Sequence, residues 1–288
     1  SIPFICNVDT LPQKHLDAVN LYQFMPYVER YGLNSMGIAK VNIPGSNISF
    51  SEQTLHFSKY HKETSDYTFC LLSAAALNPQ YIILLEDDTL THRDFPTVLE
   101  NLLETRLKHV NEHFQNRKFA FLKLYFPAKW QGFAFEVSKL LDLLSWSVVG
   151  GLLFHLICLS WSVRQRHLSS SRTHTFLIGC LVTIITCLLI GRQNINELRR
   201  ISKYFYRLQS SEGCCTQAML YPNYVVDSLT HYLVSNSSNR HTDLAILDFS
   251  DICGFPSYQV EPNLFYHVGL HTTLDMGHKH PEEFIVHV

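Results

Sequence analysis

The sequence predicts a mixed α/β domain interrupted by a hairpin of two transmembrane helices, and three patterns carry that reading. Short apolar runs alternate with helical ones on both flanks of the chain. Two long stretches, 143–163 and 173–190, contain no Asp, Glu, Lys or Arg. Residues 81–89, YIILLEDDT, form a continuous apolar run of strand length that stops abruptly in acids, as a buried parallel strand does at its carboxyl end. The organisation that follows is a first half-domain over 1–139, the hairpin over 140–191 and a second half-domain over 192–288.

Each element has its own signal. FICNV reads as a strand, and residues 9–32 give a helix or two ending at Gly32. MGIAKVNI reads as another strand before Pro44-Gly45, and 51–77 is helical in pattern. After the acidic run, a helix over roughly 94–114 places Leu99, Leu102, Leu103 and Leu107 on one face, and FAFLKLYF supplies a strand up to Pro127. Beyond the hairpin, CCTQAMLYP, a helix near 223–235 and TDLAILDFS continue the same kind of domain, with SNSSN as a loop.

The first uncharged run is long enough to span roughly 30 Å of hydrocarbon, and the second sits at the short end of the spanning range of about 17 to 25 residues. Both are apolar all round rather than striped, which favours membrane spans over a buried hairpin in a soluble domain. Arg164, Arg166 and Arg172 between the runs favour the cytosol, but Arg192, Arg199 and Arg200 balance them on the far side. The sequons at Asn47 and Asn236 lie on opposite sides of the hairpin, and two crossings return both to one compartment, the lumen. The chain opens at Ser1 directly into an apolar stretch, so it reads as a fragment with any targeting signal or first anchor upstream.

The formal net charge is -2, from 23 basic and 25 acidic residues, with no extended basic patch, which excludes a nucleic-acid partner. Cys158, Cys180 and Cys187 fall inside the spans, and Cys6, Cys70, Cys214, Cys215 and Cys253 outside them, with no zinc-type spacing. Two disulfides with one thiol left over suit an oxidising lumen, and the adjacent Cys214 and Cys215 are not expected to bond each other.

The acids carry the chemistry. Glu86, Asp87 and Asp88 follow a strand, and residues two apart in extended chain point the same way, so Glu86 and Asp88 can face one site. Hard carboxylate oxygens suit Mn²⁺ or Mg²⁺, which need few protein ligands when a diphosphate supplies the rest. The ordinary alternative is a helix cap at Asp88 or Thr89.

YIILLEDDT, LKLYFPAKWQGF at 122–133, CCTQAMLY at 214–221, TDLAI at 242–246 and EPNLFYHVGLHTTL at 261–274 form an ordered series over nearly the whole chain. That series resembles the post-GPI-attachment N-acetylgalactosaminyltransferase family, GT-A-type glycosyltransferases of the Golgi whose catalytic domain is split by a tandem transmembrane pair. The resemblance implies a multi-pass Golgi membrane protein with a lumenal catalytic domain. It implies inverting, metal-dependent transfer from UDP-GalNAc to the mannose core of GPI-anchored proteins. By the same resemblance Glu86, Asp87 and Asp88 form the metal and nucleotide-sugar motif, with Asp88 the first choice of ligand and His267 completing the metal site. Asp243 corresponds to the general base, with Asp248 and Asp251 as nearby alternatives. Two other readings stay open: a different UDP-sugar transferase, such as a GlcNAc transferase acting on N-glycans, and a non-catalytic lumenal scaffold that binds GPI-anchored cargo. Tyr125, Phe126, Trp130, Phe133 and Phe135, just ahead of the first span, read as interface anchors ahead of sugar-stacking residues.

Overall fold

The computed structural model describes residues 2–31, 40–42, 59–107, 118–165, 172–236 and 240–269. At the N-terminal end β1 (Ile5–Asn7) and β2 (Tyr27–Glu29) run parallel, joined through α1 (Leu16–Leu21), and β3 (Lys40–Asn42) pairs antiparallel with β2. The helix expected to run on to Gly32 therefore stops early. Pro26 cannot continue it, the Pro26 carbonyl accepts from Ile5 N at 2.9 Å instead, and the aromatic and β-branched pair Tyr27-Val28 enters the small sheet. Cys6 is disulfide-bonded to Cys70, which ties β1 to α2 (Lys59–Ala75).

The main sheet has five strands in the order β4 (Tyr81–Leu85), β8 (Ala218–Pro222), β6 (Leu122–Lys123), β9 (Tyr258–Glu261) and β7 (Arg207–Ser210). Only β6 and β9 run parallel. β8 is apolar and buried along its whole length because both faces of the sheet are covered there. Leu122 and Leu220 pack with Val98, Leu102, Val260 and Phe265 on the side of α3 (Phe95–Leu102). Phe121, Met219 and Tyr221 point the other way, against Leu71 of α2, Val226 and Leu229 of α7 (Asn223–Asn236) and Ile246 of α8 (Thr242–Cys253). The helix expected over 94–114 is α3 followed by one wider turn, Leu103–Leu107; its remainder, like Asn47 and the residues 51–58 expected to be helical, lies outside the described residues.

β4 departs from expectation. It is antiparallel to β8, not part of a parallel pair, and it closes one edge of the sheet, leaving Ile83 and Leu85 exposed while Ile82 faces the core. Its partner is encoded on the far side of the hairpin, and a run of apolar residues says nothing about the direction of so distant a strand. β5 (Thr89–Thr91) and β10 (Phe265–His267) form a separate antiparallel ribbon beyond the end of β4.

α4 (Val137–Gln165) and α5 (Arg172–Ile190) are long and apolar enough to cross a membrane, and they lie against each other as a hairpin. Their seam is built from small residues: a Cβ on Gly150 would lie 2.0 Å from Thr183 Oγ1, and one on Gly179 would lie 2.7 Å from the Phe154 Cβ. Such close approach lets two helices gain dispersion energy where no hydrophobic effect drives them together. Ser147 donates to the Cys180 carbonyl at 3.3 Å, and His155 Nδ1 lies 2.9 Å from Thr175 Oγ1, so polar atoms of the seam find partners between the helices. The outward leucines stay exposed.

The hairpin is fastened to the sheet at its base. α5 ends at Gly191, whose φ of 85° admits a sharp turn. Arg192, at the start of α6 (Arg192–Asn196), then runs under the sheet and is 1% exposed. Its guanidinium forms a two-bond fork with Glu261 of β9 at 2.6 and 3.0 Å, and donates to Asp142 of α4 at 3.1 Å and to the Gln131 carbonyl at 3.0 Å. Arg207 of β7, opposite Glu261 in register, donates to the same Glu261 at 3.0 Å and also pairs with Asp142. Both ends of the hairpin thus share one charge cluster with two strands. Arg192→Leu, which leaves Glu261 and Asp142 short of a cation, is expected to cost about 3–5 kcal/mol of stability. Arg192→Lys should restore little, since an ammonium cannot reproduce the fork. The yield and melting temperature of folded, detergent-extracted protein check both; wild-type melting for Arg192→Leu would contradict the assignment.

Candidate functional site

The acids at the end of β4 meet the C-terminal ribbon. Glu86 N donates to the Gln217 carbonyl at 2.8 Å, continuing the β4–β8 ladder one step past Leu85, and the chain then turns so that Thr89 N and Oγ1 both donate to the Glu86 carbonyl. That turn delivers Asp88 to β10. Val268 N donates to the Asp88 carbonyl at 2.9 Å, and His267 Nε2 lies 2.8 Å from Asp88 Oδ2, joining residues 179 apart in sequence. His267 is buried, and the second carboxylate oxygen, Asp88 Oδ1, is buried without a hydrogen-bond partner among the described residues.

Gly269 explains how the pair fits. A Cβ at this position would lie 2.0 Å from Asp88 Oδ2 and 2.8 Å from His267 Nε2, so the backbone must pass with no side chain for the carboxylate and imidazole to meet. The YHVG pattern carried this signal, but without the geometry its glycine had no stated role.

Glu86 is held differently. Its Oε1 accepts from Thr216 Oγ1 at 2.8 Å. Glu86 keeps accessible surface where the chain turns beyond β4. Desolvation there raises the carboxyl above its ordinary pKa, the Thr216 bond and His267 opposing and the charges of Asp88 and Asp87 adding. Asp87 is largely exposed and faces His15, the residue before α1, whose Nε2 lies 3.5 Å away while Nδ1 caps that helix. The triplet therefore splits, with Asp88 on His267, Glu86 on Thr216 and Asp87 towards α1.

The 212–217 segment links these acids to Asp243. Cys215 N donates to Asp243 Oδ2 at 3.0 Å, and Leu244 N donates to Oδ1 at 2.7 Å, so two main-chain donors fix this carboxylate in the first turn of α8. Thr216, one residue on, reaches Glu86. From below, the buried Lys123 donates to the carbonyls of Glu212, at 2.6 Å, and Cys214; burial lowers its ammonium pKa to about 8 against the pull of Asp243 and Glu212. Asp248 instead pairs with Arg240 at 2.9 Å, and Asp251 is exposed, so Asp243 alone of the three acids contacts this segment. Contrary to expectation, Cys214 and Cys215 bond each other, both with positive φ, and Cys253 is the cysteine outside the two long helices left as a thiol among the described residues.

The aromatic residues ahead of the hairpin also divide. Trp130 and Phe135 are exposed, as interface anchors would be, but Tyr125 and Phe126 are in the core, because the β6 segment carries them under the ribbon. Tyr125 lies with its ring 5.8 Å from that of His267; burial, and then the Asp88 charge, push its hydroxyl well above the ordinary tyrosine range, so it is a donor. Asn236 is exposed at the end of α7, with its amide nitrogen 2.9 Å from the Tyr232 carbonyl.

Among the described residues no three His, Cys, Asp or Glu side chains draw together into a ready-made metal cage. The donors that do meet, a carboxylate and an imidazole with one carboxylate oxygen still unsatisfied, suit a divalent cation that takes its remaining ligands from phosphate oxygens and water.

No solved structure matches the chain. The sequence model of the GPI-N-acetylgalactosamine transferase PGAP4 family matches residues 1–266, and the chain belongs to that family of glycosyltransferases.

Proposed function

We propose that this chain is a GT-A-like enzyme that transfers N-acetylgalactosamine from UDP-GalNAc to a mannose of the GPI core on GPI-anchored proteins, with inversion and with Mn²⁺ or Mg²⁺ bound at Asp88 and His267, Glu86 being the further carboxylate of the same motif. The observation that carries this reading is the Asp88–His267 pair at the end of β4, with Asp88 Oδ1 unsatisfied beside it. A cation there would be held by Asp88 and His267 and would supply charge stabilisation for the departing nucleoside diphosphate.

The chain's own groups supply the rest. Asp88 and His267 fix one side of the donor site, and Gly269 keeps them together. Glu86, held by Thr216, stands beside them as a second carboxylate. Asp243 accepts the proton of the acceptor hydroxyl as its oxygen attacks the anomeric carbon, while the bond from that carbon to the diphosphate breaks. Its two main-chain donors hold the carboxylate still for that task. The hairpin, crossing the Golgi membrane twice with both flanks lumenal, keeps the site beside the leaflet that carries the acceptor and so raises its effective concentration.

Three substitutions separate these roles. Asp88→Asn is expected to lower UDP-GalNAc turnover about a hundredfold or more and to weaken Mn²⁺ binding, since the lost charge acts through the cation; unchanged turnover would remove the metal reading. Gly269→Ala should raise the Mn²⁺ concentration needed for half-maximal activity by about tenfold or more, by prising the pair apart. Asp243→Asn should lower kcat by about 10²–10⁴-fold with UDP affinity unchanged; loss of UDP binding would place Asp243 in the donor site instead.

A further inference from the structure

Tyr125 is 3% exposed, and its hydroxyl oxygen has no hydrogen-bond partner among the described residues. Buried tyrosine hydroxyls are nearly always partnered, so an exception beside a polar site calls for an explanation. Packing does not provide it. The ring fills the core beside Leu124, Ala218 and Phe265, and a phenylalanine would fill that space equally.

The strand register leads up to this residue. Lys123 lies opposite Met219, and Leu124 N donates to the Ala218 carbonyl. Tyr125 follows directly, just past the end of β6. There the Tyr125 ring stands 5.8 Å from that of His267, its hydroxyl feels the Asp88 charge, and Asp88 Oδ1 is also buried without a hydrogen-bond partner among the described residues. A phenol donor and a carboxylate oxygen beside the same imidazole are thus both without a partner among the described residues, which is the arrangement of groups that receive a ligand's oxygens and protons.

We propose that Tyr125 is a ligand-binding residue, whose hydroxyl donates a hydrogen bond to an oxygen of the cation–diphosphate assembly held at Asp88. This rests on the metal-dependent transferase reading. It assigns the LKLYF strand a direct part in donor recognition and gives the oxygen of Tyr125, as distinct from its ring, a function.

The test uses the full chain in detergent micelles, with UDP titrated calorimetrically at saturating Mn²⁺ and thermal unfolding recorded without ligand, for wild type, Tyr125→Phe and Asp88→Ala. Tyr125→Phe is expected to weaken UDP binding about tenfold, the worth of a hydrogen bond to a charged acceptor. Its ligand-free melting temperature should equal or exceed that of wild type, because the deleted oxygen has no internal partner. Wild-type UDP affinity in Tyr125→Phe would overturn the proposal, and so would a lowered ligand-free melting temperature with affinity unchanged, which would assign the oxygen to the fold. Wild-type protein that binds no UDP with Mn²⁺ would overturn the transferase reading itself. In that case Tyr125→Phe and Asp88→Ala would be equally silent, which distinguishes it from a failure confined to Tyr125.

Discussion

The buried fork between Arg192 and Glu261 is the interaction on which the rest of the structure depends. Burying two charges is costly unless the pair is well aligned and its remaining donors and acceptors are satisfied. Here Asp142, Arg207 and the Gln131 carbonyl complete the cluster. The cluster gathers the first turns of α4, the residue after α5 and the strands β7 and β9, so a long apolar hairpin inserted in mid-domain leaves the main sheet continuous. From Glu261 the chain needs six residues to reach His267, and on the way Asn263 bonds both the amide and the carbonyl of Phe126. The clamp that seats the hairpin therefore also sets the position of the site.

The site itself depends on close approach rather than on a dense cage of ligands. A bare backbone at Gly269 lets Asp88 meet His267, and the 212–217 segment, supported from below by Lys123, spaces Glu86 from Asp243 through consecutive residues. A metal site with few protein donors suits a donor substrate that brings its own phosphate oxygens. A carboxylate fixed apart from that centre suits the acceptor side of a displacement, where a proton has to be taken without competition from the cation.

Much of this was legible in the sequence. The apolar run ending in acids placed Glu86–Asp88 at a strand end because a run so short and rich in isoleucine suits a strand better than a helix, and the two charge-free stretches announced themselves by length. The direction of β4 was not legible, because its partner lies beyond the hairpin and apolar continuity is the same for either direction. Tyr27–Glu29 was hidden in a helical pattern, with Pro26 the overlooked stop. Tyr125 was misread because aromatics ahead of an apolar stretch resemble an interface belt, and only the fold shows that it turns inward. The bond between Cys214 and Cys215 ran against the general rarity of adjacent pairs, and the meeting of Asp88 with His267 rested on resemblance alone, as no local pattern joins them.

The central claim is that a cation held at Asp88 and His267 serves a UDP-GalNAc donor. Its most direct test is sugar transfer by purified full-length protein to a mannose-bearing GPI acceptor, with UDP-GalNAc, UDP-GlcNAc and UDP-Gal compared before and after chelation and again after Mn²⁺ is restored. The account predicts transfer from UDP-GalNAc in preference to the other two, abolished by chelation and recovered with Mn²⁺. Transfer that survives chelation, or a preference for another donor, would contradict it.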